Sequence, residues 1–152
     1  MSEELVDAIT FGNVPQVKTV LASVAVALAC YQVAMMAVGY NKVKTSYLKP
    51  RAASLAHRAV GDAILPITLL VAWMCWTYFS VGDGIEHAMD DESTRAAIHV
   101  YAGSALVVVL ALKVIVIRWW KRMNRFLPHL GLTVFGLFVV TWVTSAGDYL
   151  WS

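Results

Sequence analysis

Charged residues are scarce in this chain of 152 residues: Asp, Glu, Lys and Arg make up 14%, while hydrophobic residues make up 59%. A soluble domain averages about 25% charged residues. So few charges cannot cover a water-facing surface, which excludes an ordinary soluble domain. The length suits one compact unit, and the sequence shows no internal repeat or low-complexity tract, so residues 1–152 are predicted to form a single transmembrane domain.

The sequence also lacks the motifs of several common chemistries. It has no nucleophile triad, no phosphate-binding loop and no Gly-rich nucleotide fingerprint, so no catalytic residue is predicted. Its two cysteines, Cys30 and Cys75, form neither a CxxC pair nor the CxxCH motif that attaches haem covalently. Basic clusters beside apolar segments are better explained by membrane topology and lipid headgroups than by nucleic acid, which is not an expected partner.

Four long apolar runs are what the sequence does contain. They cover approximately residues 17–39, 59–80, 96–117 and 126–147. A helix needs about 20 apolar residues to cross the hydrocarbon core of a bilayer. Because the backbone must satisfy its own hydrogen bonds in lipid, each run is predicted to be a helix. The expected fold is therefore all-α, a four-helix transmembrane bundle whose immediate partner is the lipid bilayer.

The loops between these runs differ in charge, which predicts the orientation of the chain. The first and third loops are basic, whereas the second loop is acidic and carries Asp83, Glu86, Asp90, Asp91 and Glu92. Lys and Arg mark cytoplasmic loops. The sequence thus predicts a multi-pass protein of the cell membrane, with loops one and three cytoplasmic. The acidic loop and both termini are then expected outside.

Four histidines carry the predicted chemistry. His57 and His129 begin the second and fourth runs, so both are expected at the same depth at the inner boundary. Two neutral imidazoles that face each other in a helical bundle suit axial ligation of a b haem. His99 begins the third run at the outer boundary, and His87 lies twelve residues earlier in the acidic loop. They would form a second site, so one or two haems are expected.

Two of these histidines are followed four residues later by a glycine. Gly61 follows His57, and Gly103 follows His99. Residues at positions i and i+4 share one face of a helix. A glycine there leaves room for a flat macrocycle, although small residues also serve helix packing in membranes. A histidine at a membrane boundary can likewise be only an interfacial polar residue, but ionisable groups within spans tend to be functional.

A few charges lie within or beside the runs. Arg58 is a candidate partner for a haem propionate. It is also the i−4 neighbour of Asp62, and an ion pair between them is the expected structural role of both. Lys113 lies near the inner end of the third run and is expected to extend its ammonium group towards the membrane surface.

Several of these segments resemble a known group of proteins. The stretch from His99-Val-Tyr-Ala-Gly103 to Arg118-Trp-Trp-Lys121 resembles a haem-binding helix of the cytochrome b561-like membrane cytochromes. The segments His57-Arg-Ala-Val-Gly61 and Pro128-His129-Leu-Gly131 resemble helix starts in the same class. The resemblance implies a four-helix core in which paired histidines hold one or two b haems. It further implies electron transfer between quinol, ascorbate or a redox protein and an acceptor.

Two functions therefore compete. The first is a b-type cytochrome that transfers electrons through bis-histidine haems, either alone as a transmembrane oxidoreductase or as a subunit of a larger membrane complex. Its partners would be a redox protein or a quinone. The alternative is a non-redox anchor or scaffold subunit, in which the helices serve only packing and the histidines make only interfacial contacts.

Overall fold

The computed structural model describes residues 4, 8–43, 45–81 and 94–147. Within them the chain forms four long helices: α1 (Val14–Gly39), α2 (Pro50–Val81), α3 (Thr94–Arg118) and α4 (Leu127–Trp142). A 3₁₀ segment, Lys121–Phe126, connects α3 to α4, and a π-helical turn, Val143–Gly147, follows α4. The described residues contain no β-strand.

The predicted fold class is confirmed. Each of the four helices is long and apolar enough to cross a membrane, over Val14–Gly39, Pro50–Thr77, Thr94–Arg118 and Leu127–Ala146. The second helix begins at Pro50, well before the apolar run at 59. Proline suits the first turn of a helix because its missing N–H would have no helical partner there. The acidic loop and both chain ends lie mostly outside the described residues, and the predicted sidedness stays a prediction.

The four helices do not contact one another equally. Helix α1 packs closely against α2 and also against α4, and α4 packs closely against α3, whereas α2 and α3 touch only sparsely. The neighbours therefore run in the order α2, α1, α4, α3, which places α2 and α4 diagonally. The shared core consists of Ala25, Ala29, Ile64, Leu106, Leu110, Val134 and Phe138. Small residues on α1 let its backbone approach its neighbours closely.

One side-chain hydrogen bond ties the rotation of α4 to that of α1. The indole N–H of Trp142 donates to the hydroxyl of Ser23, with a distance of 2.9 Å between Nε1 and Oγ. The buried side chains of Val134 and Phe138 lie on the inward face of the same helix. Together these contacts decide which α4 side chains point into the bundle and which point out of it.

Candidate functional site

We call the end of the bundle where α1 and α3 end, and where α2 and α4 begin, the basic end. A cavity of about 40 Å³ lies in this half of the bundle. All four helices line it, and its polar side chains are Gln32, His57 and Lys113. The remaining lining residues are apolar or glycine: Ala29, Val33, Met36, Gly61, Ile64, Leu110, Gly131, Val134, Phe135 and Phe138. A water molecule needs roughly 10–15 Å³ of such volume, so the cavity has room for water but not for a porphyrin.

His57 is held at this cavity by a reciprocal pair of hydrogen bonds with α1. Its ring nitrogen Nδ1 lies 3.1 Å from the backbone carbonyl oxygen of Gln32. In return, the amide Nε2 of Gln32 donates to the carbonyl oxygen of His57 at 2.9 Å. Because a carbonyl oxygen can only accept, Nδ1 of His57 must carry the proton. In the neutral imidazole, the other ring nitrogen, Nε2, then keeps a lone pair that can bind a metal.

Gly61 has a structural role beside this pair. A Cβ atom at Gly61 would lie 2.8 Å from Nε2 of Gln32, which is closer than real Cβ atoms approach another group. The glycine predicted to leave room for a macrocycle thus leaves room for the Gln32 amide. Sequence reasoning missed Gln32, although the available signal was an amide side chain within an otherwise apolar span.

Alanine at Gly61 is therefore expected to destabilise the protein, because the amide of Gln32 must move and lose its bond to His57. Leaving a buried polar group unpaired costs about 1–3 kcal/mol. Alanine at Gly103 is the matched control, since its Cβ would meet only the Thr141 methyl group at 4.0 Å. Removing glycine from a helix interior gains about 0.5–1 kcal/mol.

Thermal unfolding of both variants in the same detergent measures this difference. Gly61→Ala should melt below the wild type, and Gly103→Ala at or above it. Equal melting temperatures for the two variants would contradict the role given to Gly61.

His99 is held in a similar way at the opposite end of the bundle, which we call the far end. Its Nδ1 lies 3.2 Å from the carbonyl oxygen of Thr141 and 3.0 Å from the hydroxyl oxygen of Thr144, both on or just after α4. The hydroxyl of Thr144 donates to the carbonyl of Val140, so it accepts from His99. Nδ1 of His99 again carries a proton, and in the neutral ring Nε2 keeps its lone pair.

The irregular end of α4 lies beside this second histidine. The π-helical turn begins at Val143, two residues after Thr141. The Thr141 carbonyl also accepts from the hydroxyl of Ser145 at 2.8 Å. Such π-turns occur frequently at functional sites because they disturb the regular hydrogen-bond ladder of the helix. The far-end contacts of His99 thus depend on this local geometry, which the sequence did not indicate.

The structure does not bring His129 to the cavity, although the sequence predicted that it would face His57. His129 is exposed. The α4 residues that line the cavity include Gly131 and Phe138. Successive helical residues turn by about 100°, which puts position 129 on the face opposite to these positions. The predicted pair therefore does not share a direction, because His57 lines the cavity and His129 points away from it.

The other predicted site residues are placed as follows. His87 lies outside the described residues, so the predicted pair of His87 with His99 stays a prediction. Arg58 and Asp62 are both exposed on α2, and the described part of the chain shows no ion pair between them. Within the same part of the chain, no group of three or more His, Cys, Asp or Glu side chains is placed to hold a metal ion. A haem needs only one or two axial ligands, so the histidines remain relevant.

Comparison with known proteins gives one match. A family model described as "Family of unknown function (DUF6529)" matches residues 2–152. The chain belongs to the DUF6529 family. No curated protein and no solved structure matches the chain.

Proposed function

We propose that this DUF6529 protein is a membrane b-type cytochrome, which transfers electrons through haem held by His57 at the basic end and by His99 at the far end. The observation that supports the proposal is that the two imidazoles make the same kind of hydrogen bond through the same ring nitrogen. Each donates Nδ1–H to a backbone carbonyl on a neighbouring helix and keeps the lone pair of Nε2. Histidines that ligate metals almost always have such a second hydrogen bond, which fixes the tautomer and orients the ring.

The donor chemistry fits haem. Haem iron in proteins takes neutral imidazole nitrogen as an axial ligand, and the bound group supplies a one-electron couple. Apart from its three polar side chains, the cavity beside His57 is apolar, as the macrocycle requires. A porphyrin is larger than the cavity, so binding requires the helices to move apart. Helices α2 and α3, which touch only sparsely, are the pair that can separate most easily.

The two histidines define separate sites. His57 lies seven residues from the start of α2, and His99 lies 19 residues from the end of α3. At about 1.5 Å per residue, they stand about 10 Å and 28 Å from the basic end. The separation of about 18 Å along the bundle exceeds the size of one site. We propose two haems in sequence, with the basic end at the cytoplasmic face because its loops carry the Lys and Arg residues.

Optical spectra of the protein purified in detergent test the proposed function. We expect a Soret band in the oxidised form and an α-band on reduction, with about two haems per chain by the pyridine haemochromogen assay. A second preparation from cells supplied with a haem precursor controls for incomplete loading. A folded, helical and colourless protein in both preparations would contradict the proposal and favour the anchor or scaffold function.

A further inference from the structure

Residues 118–126, which join α3 to α4 and which we call the connector, are expected at the depth of the lipid headgroups. Helix α3 has 25 residues and ends at Arg118. At about 1.5 Å per residue it is about 37 Å long. That length exceeds the hydrocarbon core of about 30 Å but not the whole bilayer of about 40–45 Å. The end of α3 therefore reaches beyond the acyl chains and carries the connector to the headgroups.

Backbone hydrogen bonds hold the connector against the end of α3. The N–H of Trp119 donates to the carbonyl of Ile115 at 2.8 Å, and the next N–H, of Trp120, donates at 3.2 Å to the carbonyl that follows. The N–H of Met123 then donates to the carbonyl of Trp120 at 2.8 Å, where the 3₁₀ segment begins. The connector is therefore a continuous hydrogen-bonded turn, which positions the side chains that it carries.

The connector presents exposed aromatic rings beside its cations. Trp119 and Trp120 are 73% and 54% exposed, and Phe126 is 41% exposed. Tryptophan is enriched at membrane–water interfaces, where its ring meets both lipid and water. The guanidinium carbon of Arg125 lies 4.7 Å from the centre of the Phe126 ring, which is a cation–π contact. Aromatic rings and positive charge thus alternate along one short segment.

The cations of the connector have no counter-charge at their end of the bundle. They are Arg118, Lys121, Arg122 and Arg125. Residues 8–61 and 93–147 contain no Asp or Glu. Asp62 lies about 18 Å along α2 from the start of that helix, away from the connector. Among the residues that the structure describes, no acidic side chain therefore belongs to the basic end, and the charge is available to an external anion.

We propose that the connector binds the headgroup of an anionic phospholipid, with Arg118 and Arg125 at its phosphate. Groups of four or more basic residues next to a transmembrane helix are typical of sites for anionic lipids. A zwitterionic headgroup balances its own phosphate, so a lipid with net negative charge should bind more tightly. A soluble polyanion would not explain the exposed tryptophans, which suit a lipid interface. The inference goes beyond the proposed function and assigns to one segment the general lipid contact that the sequence predicted for the basic clusters.

Native mass spectrometry of the detergent-solubilised protein, titrated with phosphatidylglycerol or with phosphatidylcholine, tests the inference. Each basic residue at an anionic headgroup contributes about fivefold in affinity. Arg118→Gln/Arg125→Gln should therefore bind the first phosphatidylglycerol about 25-fold more weakly than the wild type, with its affinity for phosphatidylcholine unchanged. Lys18→Gln/Arg95→Gln is the matched control. It removes two cations from the far end, where α1 and α3 begin, and should bind phosphatidylglycerol as the wild type does.

Three results would overturn the inference. The first is an unchanged affinity for phosphatidylglycerol in the connector variant, and the second is an equal loss in the far-end variant. The third is displacement of the lipid by excess glycerol 1-phosphate, which would indicate a site for free phosphate. Circular dichroism and melting temperatures show that each variant is folded before titration. Neither variant changes His57 or His99, so the haem content reports on the proposed function separately.

Discussion

Replacing His57 with alanine is expected to remove one haem per chain, and replacing His99 with alanine is expected to remove the other. Each substitution deletes the nitrogen Nε2 that the hydrogen bond at Nδ1 leaves free. Sites more than about 7–10 Å apart usually behave independently. The two single variants should therefore each keep about one haem, and the double variant should keep none. Haem per protein, by the pyridine haemochromogen assay, is the measurement.

His129→Ala is the informative control for this experiment. The imidazole of His129 is exposed and lies away from the cavity, so this variant should keep both haems. Loss of one haem from His129→Ala would contradict the expectation. It would show that α4 turns on haem binding, and that the pair predicted from the sequence forms after all. Circular dichroism of each variant checks that the helices remain intact.

Electron transfer across a bilayer is the second large effect that we expect. Two haems about 18 Å apart along the bundle would give electrons a path between its two ends. A single haem would leave most of the thickness of the hydrocarbon core without a redox centre. The wild-type protein is placed in liposomes that enclose ferricyanide, and ascorbate is added outside. Electrons from the ascorbate should pass through the protein and reduce the enclosed ferricyanide. His57→Ala and His99→Ala should each lose most of this rate.

Two controls make the liposome result specific. Liposomes without protein measure leakage of the reductant. Gly136→Ala substitutes an exposed α4 position where an added Cβ meets nothing within 4 Å, and it should retain the wild-type rate. A rate that is unchanged in both histidine variants would show that electrons do not pass through these sites.

The positions of the helices along the chain were predictable because hydropathy is a local property. In lipid, the backbone N–H and C=O groups of an apolar run must form hydrogen bonds within the run, as they do in a helix. Four apolar runs of about 20 residues therefore indicate four helices. The same reasoning placed His57 and His99 near opposite ends of the bundle. It misplaced the start of α2, since residues 50–58 are helical without being strongly apolar.

The surroundings of each histidine were not predictable from local patterns. The carbonyl of Gln32 reaches His57 across 25 positions of the chain, and that of Thr141 reaches His99 across 42. Nothing in the sequence near either histidine indicates these partners. The spacing of His57 and Gly61 correctly marked one helix face, but the group that needs the space is the amide of Gln32.

The sequence by itself determined that the protein has four apolar helices and that His57 and His99 lie towards opposite ends of the bundle. Both follow from the length and order of the runs, measured against the thickness of a bilayer. Only the tertiary structure decided the rotation of each helix about its own axis. That rotation turns His57 and Lys113 towards the cavity and His129 away from it, because it depends on packing and hydrogen bonds with neighbouring helices.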